Sequence, residues 1–234
     1  MKVNLFLVLP LVGTAKASTI SVGSPDATPS LARCIPFTCA FDYGAGEYQQ
    51  VYTNTAFSGP FSISQISFTL DTMHAGNATE PATFDIYLST TSKSVGGLDT
   101  NLSLNEGADK QLFGSFSLSG TVPDVLTFTG APFPYDPSQG NLLMDVVFTS
   151  STYNNAALAY FMYTTPDGLT SRAWTSSGGG FAQNAGAFTT FGDPPSTAPS
   201  TGTPEPSTMG LLGIGIGGVL LGARTNFGRW AGKK

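Results

Sequence analysis

Short runs in which apolar and polar residues alternate follow one another through most of the chain. The clearest run places Phe84, Ile86 and Leu88 on one face and Asp85 with Tyr87 on the other. A period of two is typical of β-strands, and Gly, Pro, Asn and Asp separate the runs as they do in turns. The pattern predicts about nine strands, at residues 47–53, 61–70, 83–89, 111–118, 125–129, 141–149, 157–164, 171–175 and 187–191.

No amphipathic helix accompanies these strands, so we expect an all-β fold. The number and spacing of the strands favour a single antiparallel β-sandwich over residues 18–192, either jelly-roll or immunoglobulin-like. A slip in the alternation predicts a β-bulge near Ser64 and Gln65, and the run 141–149, apolar on both faces, predicts a strand buried on both sides. Residues 136–141 have the composition of a turn, and residues 98–106 suit one helical turn or a loop.

The N-terminus has the pattern of a secretory signal peptide. Lys2 precedes an apolar stretch from Val3 to Val12, and small residues lead to Ala17, after which cleavage is expected. This apolar stretch is too short to span a bilayer permanently. We therefore expect residues 1–17 to be a signal peptide that exports the protein through the inner membrane.

The C-terminus predicts a membrane anchor. Residues 207–223 contain no charged side chain and would form a helix about 25 Å long, slightly short of the bilayer core. The basic residues Arg224, Arg229, Lys233 and Lys234 follow the run, which favours a cytoplasmic C-terminus and a body on the outside. The alternative is an apolar helix buried in a soluble domain, but the Pro-rich residues 193–203 and the basic terminus favour a transmembrane helix.

The order of Pro204, Glu205 and Pro206, a short apolar helix and a basic terminus resembles the PEP-CTERM sorting tail of exported bacterial proteins. The resemblance covers residues 204–234. It implies that Pro204-Glu205-Pro206 is recognised by a membrane protease of the exosortase type. It also implies an association with extracellular polysaccharide or biofilm, on the membrane or at the cell surface. Residues 193–203 would then be a semi-rigid Pro/Ser/Thr-rich linker.

Charge and cysteine content help to define the functional class of the protein. The chain has a net charge of −5, and because several of its cations lie in the tail, the body is more acidic still. An acidic body lacks the basic footprint of a nucleic-acid-binding protein. Cys34 and Cys39 are the only cysteines. In an exported chain such a pair indicates a disulfide rather than a metal site, since zinc would require two further ligands and His74 is the only histidine.

The sequence assigns no catalytic residue. His74 lies in a Gly-containing loop with no nucleophile elbow around it, and the glutamates Glu47, Glu80 and Glu106 are scattered. Asp85 and Asp145 lie within predicted strands and could face each other, as glycoside hydrolysis would require. Nothing in the spacing selects that pair, so a hydrolase is the least favoured interpretation.

The sequence assigns no cofactor and no metal ligand either, although calcium stays open. Oxygen-rich loops suit this ion, and the candidates are Asp71, Asp99, Asp109 and Asp136. Their spacing matches no EF-hand.

Aromatic residues in the last third of the body offer a different kind of site. Trp174, Tyr160 and Tyr163, with Tyr153 and Phe181, occur near a Gly178–Gly180 loop and would stack on sugar rings if they faced solvent. The favoured alternative is that the rings fill the core of the sandwich.

Together these features predict an exported, non-enzymatic surface or matrix protein. Its expected partners are an exosortase-type protease, the membrane and extracellular polysaccharide. A carbohydrate-binding module that uses an aromatic face is the second hypothesis.

Overall fold

The computed structural model describes residues 18–24, 34–39, 46–71, 76–153, 158–164, 166–176 and 179–193. The chain divides into two units, residues 1–196 and 197–234, and all the described residues belong to the first. The predicted signal peptide, most of the linker and the sorting tail lie outside the described residues, as does His74. Within the part that is described, no helix has the length and hydrophobicity that crossing a bilayer requires.

The described residues form ten β-strands and two short 3₁₀ helices. The strands are β1 (Thr19–Val22), β2 (Glu47–Tyr52), β3 (Phe61–Thr69), β4 (Ala78–Thr91), β5 (Gln111–Thr121), β6 (Val125–Tyr135), β7 (Asn141–Ser151), β8 (Thr170–Ser176), β9 (Gly179–Gln183) and β10 (Thr189–Gly192). The 3₁₀ helices are Asn54–Ala56 and Leu102–Leu104.

The strands form two antiparallel sheets. The four-stranded sheet has the order β1-β10-β3-β6, and the six-stranded sheet has the order β5-β4-β7-β2-β8-β9. All strands except β9, whose residues are exposed, contribute inward-facing side chains to one large apolar core drawn from both sheets. The fold is therefore all-β with two antiparallel sheets, as the alternation predicts.

Aromatic rings dominate this core. The ring of Phe37 contacts Phe68 and Phe128 from the four-stranded sheet and Phe84 from the six-stranded sheet. Phe37 is fully buried and belongs to the short segment between the two cysteines. Cys34 and Cys39 are bonded to each other, with Cα atoms 5.4 Å apart, which confirms the predicted disulfide.

A smaller apolar cluster covers the outer face of the six-stranded sheet. Val51, Leu143 and Ala173 point away from the main core and pack against Leu98 and Leu102. These two leucines belong to the β4–β5 connection, residues 92–110. The cluster explains why β7 is buried on both sides, as its apolar sequence predicts.

Several local predictions are confirmed. The β3–β6 register shifts between Ile63 and Gln65, where the bulge was expected. The turn before β7 forms as its residues indicate, because Asp136 accepts a hydrogen bond from the Ser138 N–H at 2.9 Å. Within 98–106, the helical-turn alternative is realised by Leu102–Leu104.

Other local predictions are wrong. The described residues of the predicted strand 157–164 do not form one, because they make isolated bridges to three different places: Leu158 with Ala78, Phe161 with Leu70, and Tyr163 with Ala187. Residues 179–183, assigned in part to a glycine loop, form β9. A Cβ atom at Gly180 would lie 2.4 Å from the Thr100 carbonyl oxygen, so glycine there permits close approach of the β4–β5 connection.

Candidate functional site

The residues of the predicted sorting tail are not among the described ones. Pro204, Glu205 and Pro206, and the basic residues Arg224, Arg229, Lys233 and Lys234, therefore remain predictions from the sequence.

The predicted aromatic row does not form one exposed surface. Tyr163 is 3% exposed, and its hydroxyl lies 3.1 Å from the Tyr48 hydroxyl inside the sandwich. Tyr160 is half-buried. The favoured alternative, in which rings of this region fill the core, is correct for Tyr163, and Tyr163 cannot offer a platform to a sugar.

Trp174 instead pairs with Phe181 across the β8–β9 hairpin. The two residues are cross-strand partners, and their rings stack with centroids 5.5 Å apart and planes inclined by 18°. Phe181 is 41% exposed, whereas Trp174 is half-buried. Antiparallel pairing of β8 with β9 thus places one aromatic ring at the surface with a second ring behind it.

Arg172 organises the polar surroundings of this pair. Its guanidinium lies 4.7 Å from the centre of the Trp174 ring and 4.6 Å from that of Tyr163, within the range of cation–π contacts. It donates hydrogen bonds to the Tyr163 hydroxyl and to the Gln183 side-chain oxygen. Although Arg172 is only 4% exposed, it lines, with Gln183 and Asn184, a cavity of about 190 Å³.

A second cluster lies on the outer face of the six-stranded sheet. The β2–β7 register pairs Gln49 with Asp145, so Glu47, two residues earlier in β2, projects from the same face as Asp145. Glu106 and Lys110 approach from the β4–β5 connection. One carboxylate oxygen from each of Glu47, Glu106 and Asp145 lies within 4.8 Å of the others. We call Glu47, Glu106, Asp145 and Lys110 the carboxylate cluster.

Lys110 is the cation of the carboxylate cluster. Its ammonium nitrogen lies 2.5 Å from Asp145 Oδ2 and 3.0 Å from Glu106 Oε1, and it also lies over the ring of Tyr87 at 4.5 Å. Asp145 is 1% exposed, and its partners within the cluster are the Lys110 ammonium and the carboxyl group of Glu47.

Burial, together with the charge and hydrogen bonding of Asp145, raises the pKa of Glu47 to about 8. Burial also raises the pKa of Asp145, although the Lys110 ammonium and the Glu47 hydroxyl both oppose this change. Glu47 thus carries a proton at neutral pH and shares it with Asp145. The second oxygen of Glu47, Oε1, accepts a hydrogen bond from Gln49 at 2.9 Å.

The sequence did not point to this cluster. Glu47 and Glu106 are scattered along the chain, and the predicted strands indicated Asp85 as the residue that could face Asp145. In the structure Asp85 is paired with Val147, and the carboxyl group beside Asp145 is that of Glu47. The one sequence feature that could have indicated the cluster is Asp145, an acidic residue in the largely apolar strand β7.

The aspartates considered for calcium do not converge. Asp99, Asp109 and Asp136 each use Oδ1 to accept a backbone N–H, from Asn101, Thr90 and Ser138 respectively. They therefore shape separate turns. Among the described residues, the three acidic side chains that lie close enough to share an ion are those of Glu47, Glu106 and Asp145.

Comparison with known proteins gives no match: no family model, curated protein or solved structure is significantly similar to this chain.

Proposed function

We propose that the chain is an exported, non-enzymatic protein of a bacterial surface or extracellular matrix, sorted through its C-terminal Pro-Glu-Pro tail. Its chief support is the C-terminal order of Pro204-Glu205-Pro206, the uncharged run 207–223 and the basic residues after it. The Cys34–Cys39 disulfide is consistent with an oxidising compartment. An exosortase-type membrane protease is the partner that the tail implies.

We infer further that the body is a jelly roll. The four-stranded sheet has the order β1-β10-β3-β6, so its strands are the first, last, third and sixth of the chain. Without the β8–β9 hairpin, the other sheet has the order β5-β4-β7-β2. Two interleaved Greek keys produce this order, which is found in lectin and capsid domains. The β8–β9 hairpin is then an addition beside β2, and it carries the exposed Phe181.

A non-enzymatic role is supported by how the carboxyl pair is held. Asp145 is almost fully buried and bonded to Lys110, so a substrate has little access to it. The cavity at Arg172 is lined by a different set of residues, with no carboxylate among them. General acid–base catalysis requires such a group within hydrogen-bond reach of the substrate.

The sorting proposal is tested by changing Pro204-Glu205-Pro206 to three alanines in the native host. Cell fractionation should find the wild-type protein outside the inner membrane with a shortened C-terminus, and should find the variant retained in the membrane at its longer length. Changing Pro194 and Pro195 to alanine is the matched control, because it removes linker prolines and leaves the motif intact. Identical processing of the motif variant and the wild type would overturn the proposal.

Carbohydrate binding at the β8–β9 hairpin is the second candidate function. The specific observation in its favour is the exposed ring of Phe181, stacked on Trp174 beside a cavity lined by Arg172, Gln183 and Asn184. An aromatic ring offers a flat apolar platform for a sugar, and the adjoining amides and guanidinium can orient hydroxyl groups.

A further inference from the structure

We propose that Lys110 and Asp145 form a covalent isopeptide bond, in which the Lys110 Nζ atom is joined to the Asp145 Cγ atom with loss of one water. The bond goes beyond the proposed function, which includes no covalent link other than the disulfide. It ties the beginning of the edge strand β5 to β7, across the intervening β4. Glu47, which is hydrogen-bonded to Asp145, transfers the protons that the reaction requires.

The strand register brings the two side chains together. Asp145 in β7 pairs with Tyr87 in β4, and Tyr87 pairs with Leu112 near the start of β5. Cross-strand partners point to the same face of a sheet, and Lys110 shares that face because it lies two residues before Leu112. The Lys110 side chain crosses β4 over the Tyr87 ring, whose centre lies 4.5 Å from Nζ, and ends at Asp145.

The reacting atoms are already close to bonding geometry. Lys110 Nζ lies 2.5 Å from Asp145 Oδ2. Because a carbonyl C–O bond is about 1.2 Å long, Nζ lies within about 3.7 Å of the Cγ atom that it attacks. Reacting atoms held about 3–3.5 Å apart in the correct orientation behave as if their concentration were about 10⁵ M or more. Such proximity offsets the competition from water, which in dilute solution favours the free amine and acid.

Burial favours the neutral forms that the reaction requires. An ammonium ion is not a nucleophile and a carboxylate is a poor electrophile, so the ion pair first has to become an amine and a carboxylic acid. Burial raises the pKa of Asp145, which favours the acid. Burial also favours the neutral form of Lys110, but its hydrogen bonds to Asp145 and Glu106 outweigh this effect and raise its pKa. The Lys110 proton therefore moves within the pair, to Asp145 Oδ2.

Glu47 completes the proton transfers. Burial is the main cause of its raised pKa of about 8, so Glu47 is protonated at neutral pH. The lone pair of the Lys110 amine attacks Cγ of Asp145, the π electrons of the carbonyl move to its oxygen, and that oxygen takes the Glu47 proton. Glu47 then takes a proton from the nitrogen and passes it to one hydroxyl group, which leaves with the C–O bonding electrons as water. The second hydroxyl group returns its proton to Glu47 and becomes the amide carbonyl.

Asp145 is a better acceptor than Glu106, the other carboxyl group that contacts Lys110. Glu106 Oε1 lies 3.0 Å from Nζ, against 2.5 Å for Asp145 Oδ2. The Glu106 side chain is also partly exposed, whereas that of Asp145 is buried. Solvent therefore competes for Glu106, and we expect the bond at Asp145.

Mass spectrometry of the purified full chain tests the proposal. Trypsin cleaves after lysine and arginine but not after a lysine whose amine is acylated. Lys93, Lys110 and Arg172 are consecutive cleavage sites, so an unmodified chain gives separate peptides 94–110 and 111–172. The bond should instead give one peptide 94–172 that is lighter by one water, with fragment ions that join Lys110 to Asp145. A folded wild-type chain that is cleaved after Lys110, with no mass deficit beyond that of the disulfide, would overturn the proposal.

Variants distinguish the bond from a salt bridge. Lys110→Arg keeps the positive charge without the nucleophilic amine, so the loss of water should disappear. Asp145→Asn should form the same amide with loss of ammonia, because the side-chain nitrogen is then the leaving group. Glu47→Gln should slow bond formation roughly a hundredfold or more, followed as the cross-linked fraction against time after refolding. Asp85→Asn is the matched control, because it removes a carboxylate from the same face of β4 and should cross-link like the wild type.

Two further outcomes would contradict the assignment. Loss of water that persists in Asp145→Ala would place the bond on Glu106. Cross-linking of Glu47→Gln at the wild-type rate would exclude Glu47 from the proton transfers. The measurement on the wild type does not depend on whether any variant folds, so it decides whether the bond exists.

Discussion

The ring centroid of Phe37 lies 4.8 Å from that of Phe128 on β6. Because Phe37 lies between Cys34 and Cys39, the disulfide-bonded segment inserts an aromatic ring between the two sheets. Thr38 holds the same segment in place by donating a hydrogen bond to the Ala159 carbonyl at 2.5 Å. The cysteine pair therefore does more than close a short ring, since it positions a residue of the main core.

Replacing Phe37 by alanine should strongly destabilise the sandwich. The side chain is fully buried and contacts rings of both sheets, so its loss leaves a cavity that costs about 3–5 kcal/mol. Urea denaturation measures the change in unfolding free energy. Phe181→Ala removes an exposed ring and should cost less than about 1 kcal/mol. Similar losses in both variants would contradict the role of Phe37.

Asn105 should be essential for the position of the β4–β5 connection. This fully buried side chain donates to Gln49 at 2.8 Å and to the Asp99 carbonyl at 2.9 Å, and it accepts the Asp99 N–H at 2.7 Å. Asn105→Ala leaves buried groups unpaired and should cost about 2–3 kcal/mol.

Limited proteolysis provides a local readout, with faster cleavage within residues 92–110 expected in Asn105→Ala. The neighbouring Leu104 is largely exposed, so Leu104→Ala should be cleaved like the wild type. If Asn105→Ala were cleaved as slowly as the wild type, Asn105 would not anchor the β4–β5 connection.

The stability of the protein should fall as the pH rises through neutrality. The pKa of Glu47 is raised from 4.5 to about 8 in the folded state, so the native protein binds more protons than the unfolded chain between these values. The Glu47 contribution is fully present below pH 4.5 and is lost as the pH approaches 8.

Urea midpoints at about pH 5.5 and about pH 8.5 test this dependence. The wild type should lose stability over the interval, and Glu47→Gln should show a flatter profile because its amide does not titrate. Asp85→Asn should keep the wild-type slope. A wild-type profile as flat as that of Glu47→Gln would mean that Glu47 is ionised at neutral pH.

If the β8–β9 hairpin binds polysaccharide, the purified protein should be retarded on a native gel that contains the glycan. Phe181→Ala and Trp174→Ala should each abolish the retardation, because they remove the exposed ring and the ring behind it. Tyr153→Ala is the control, since Tyr153 is an exposed aromatic residue outside the hairpin. Retardation that persists in Phe181→Ala would exclude the hairpin as the binding site.

The alternation of apolar residues was enough to predict the antiparallel sheets. It places Phe84, Ile86 and Leu88 on the inner face of β4, and the slip near Ser64 identifies the bulge. It failed for β1 and β9, because strands as short as Thr19–Val22 or as glycine-rich as Gly179–Gln183 bury too few side chains to show a pattern. Residues 158–164 failed for the opposite reason, since Ala159, Phe161 and Tyr163 are buried as in a strand although the segment makes only isolated bridges.

The sites depend on tertiary placement that local patterns do not contain. Glu47 meets Asp145 only through the β2–β7 register, and Glu106 and Lys110 join them only because the β4–β5 connection packs over Val51 and Leu143. Nor does any local rule reveal that Tyr163 points inward to Tyr48 and Arg172. The disulfide was predictable because the two cysteines are only five positions apart in a chain predicted to be exported.

Intact-mass analysis of the protein recovered from the native cell envelope tests the export and sorting of this sandwich most directly. We expect a chain that begins at Ser18, lacks the C-terminal tail, and is lighter by roughly 2 Da for the hydrogens lost in the Cys34–Cys39 bond. A chain of full length found in the cytosol, with reduced cysteines, would contradict the proposed function.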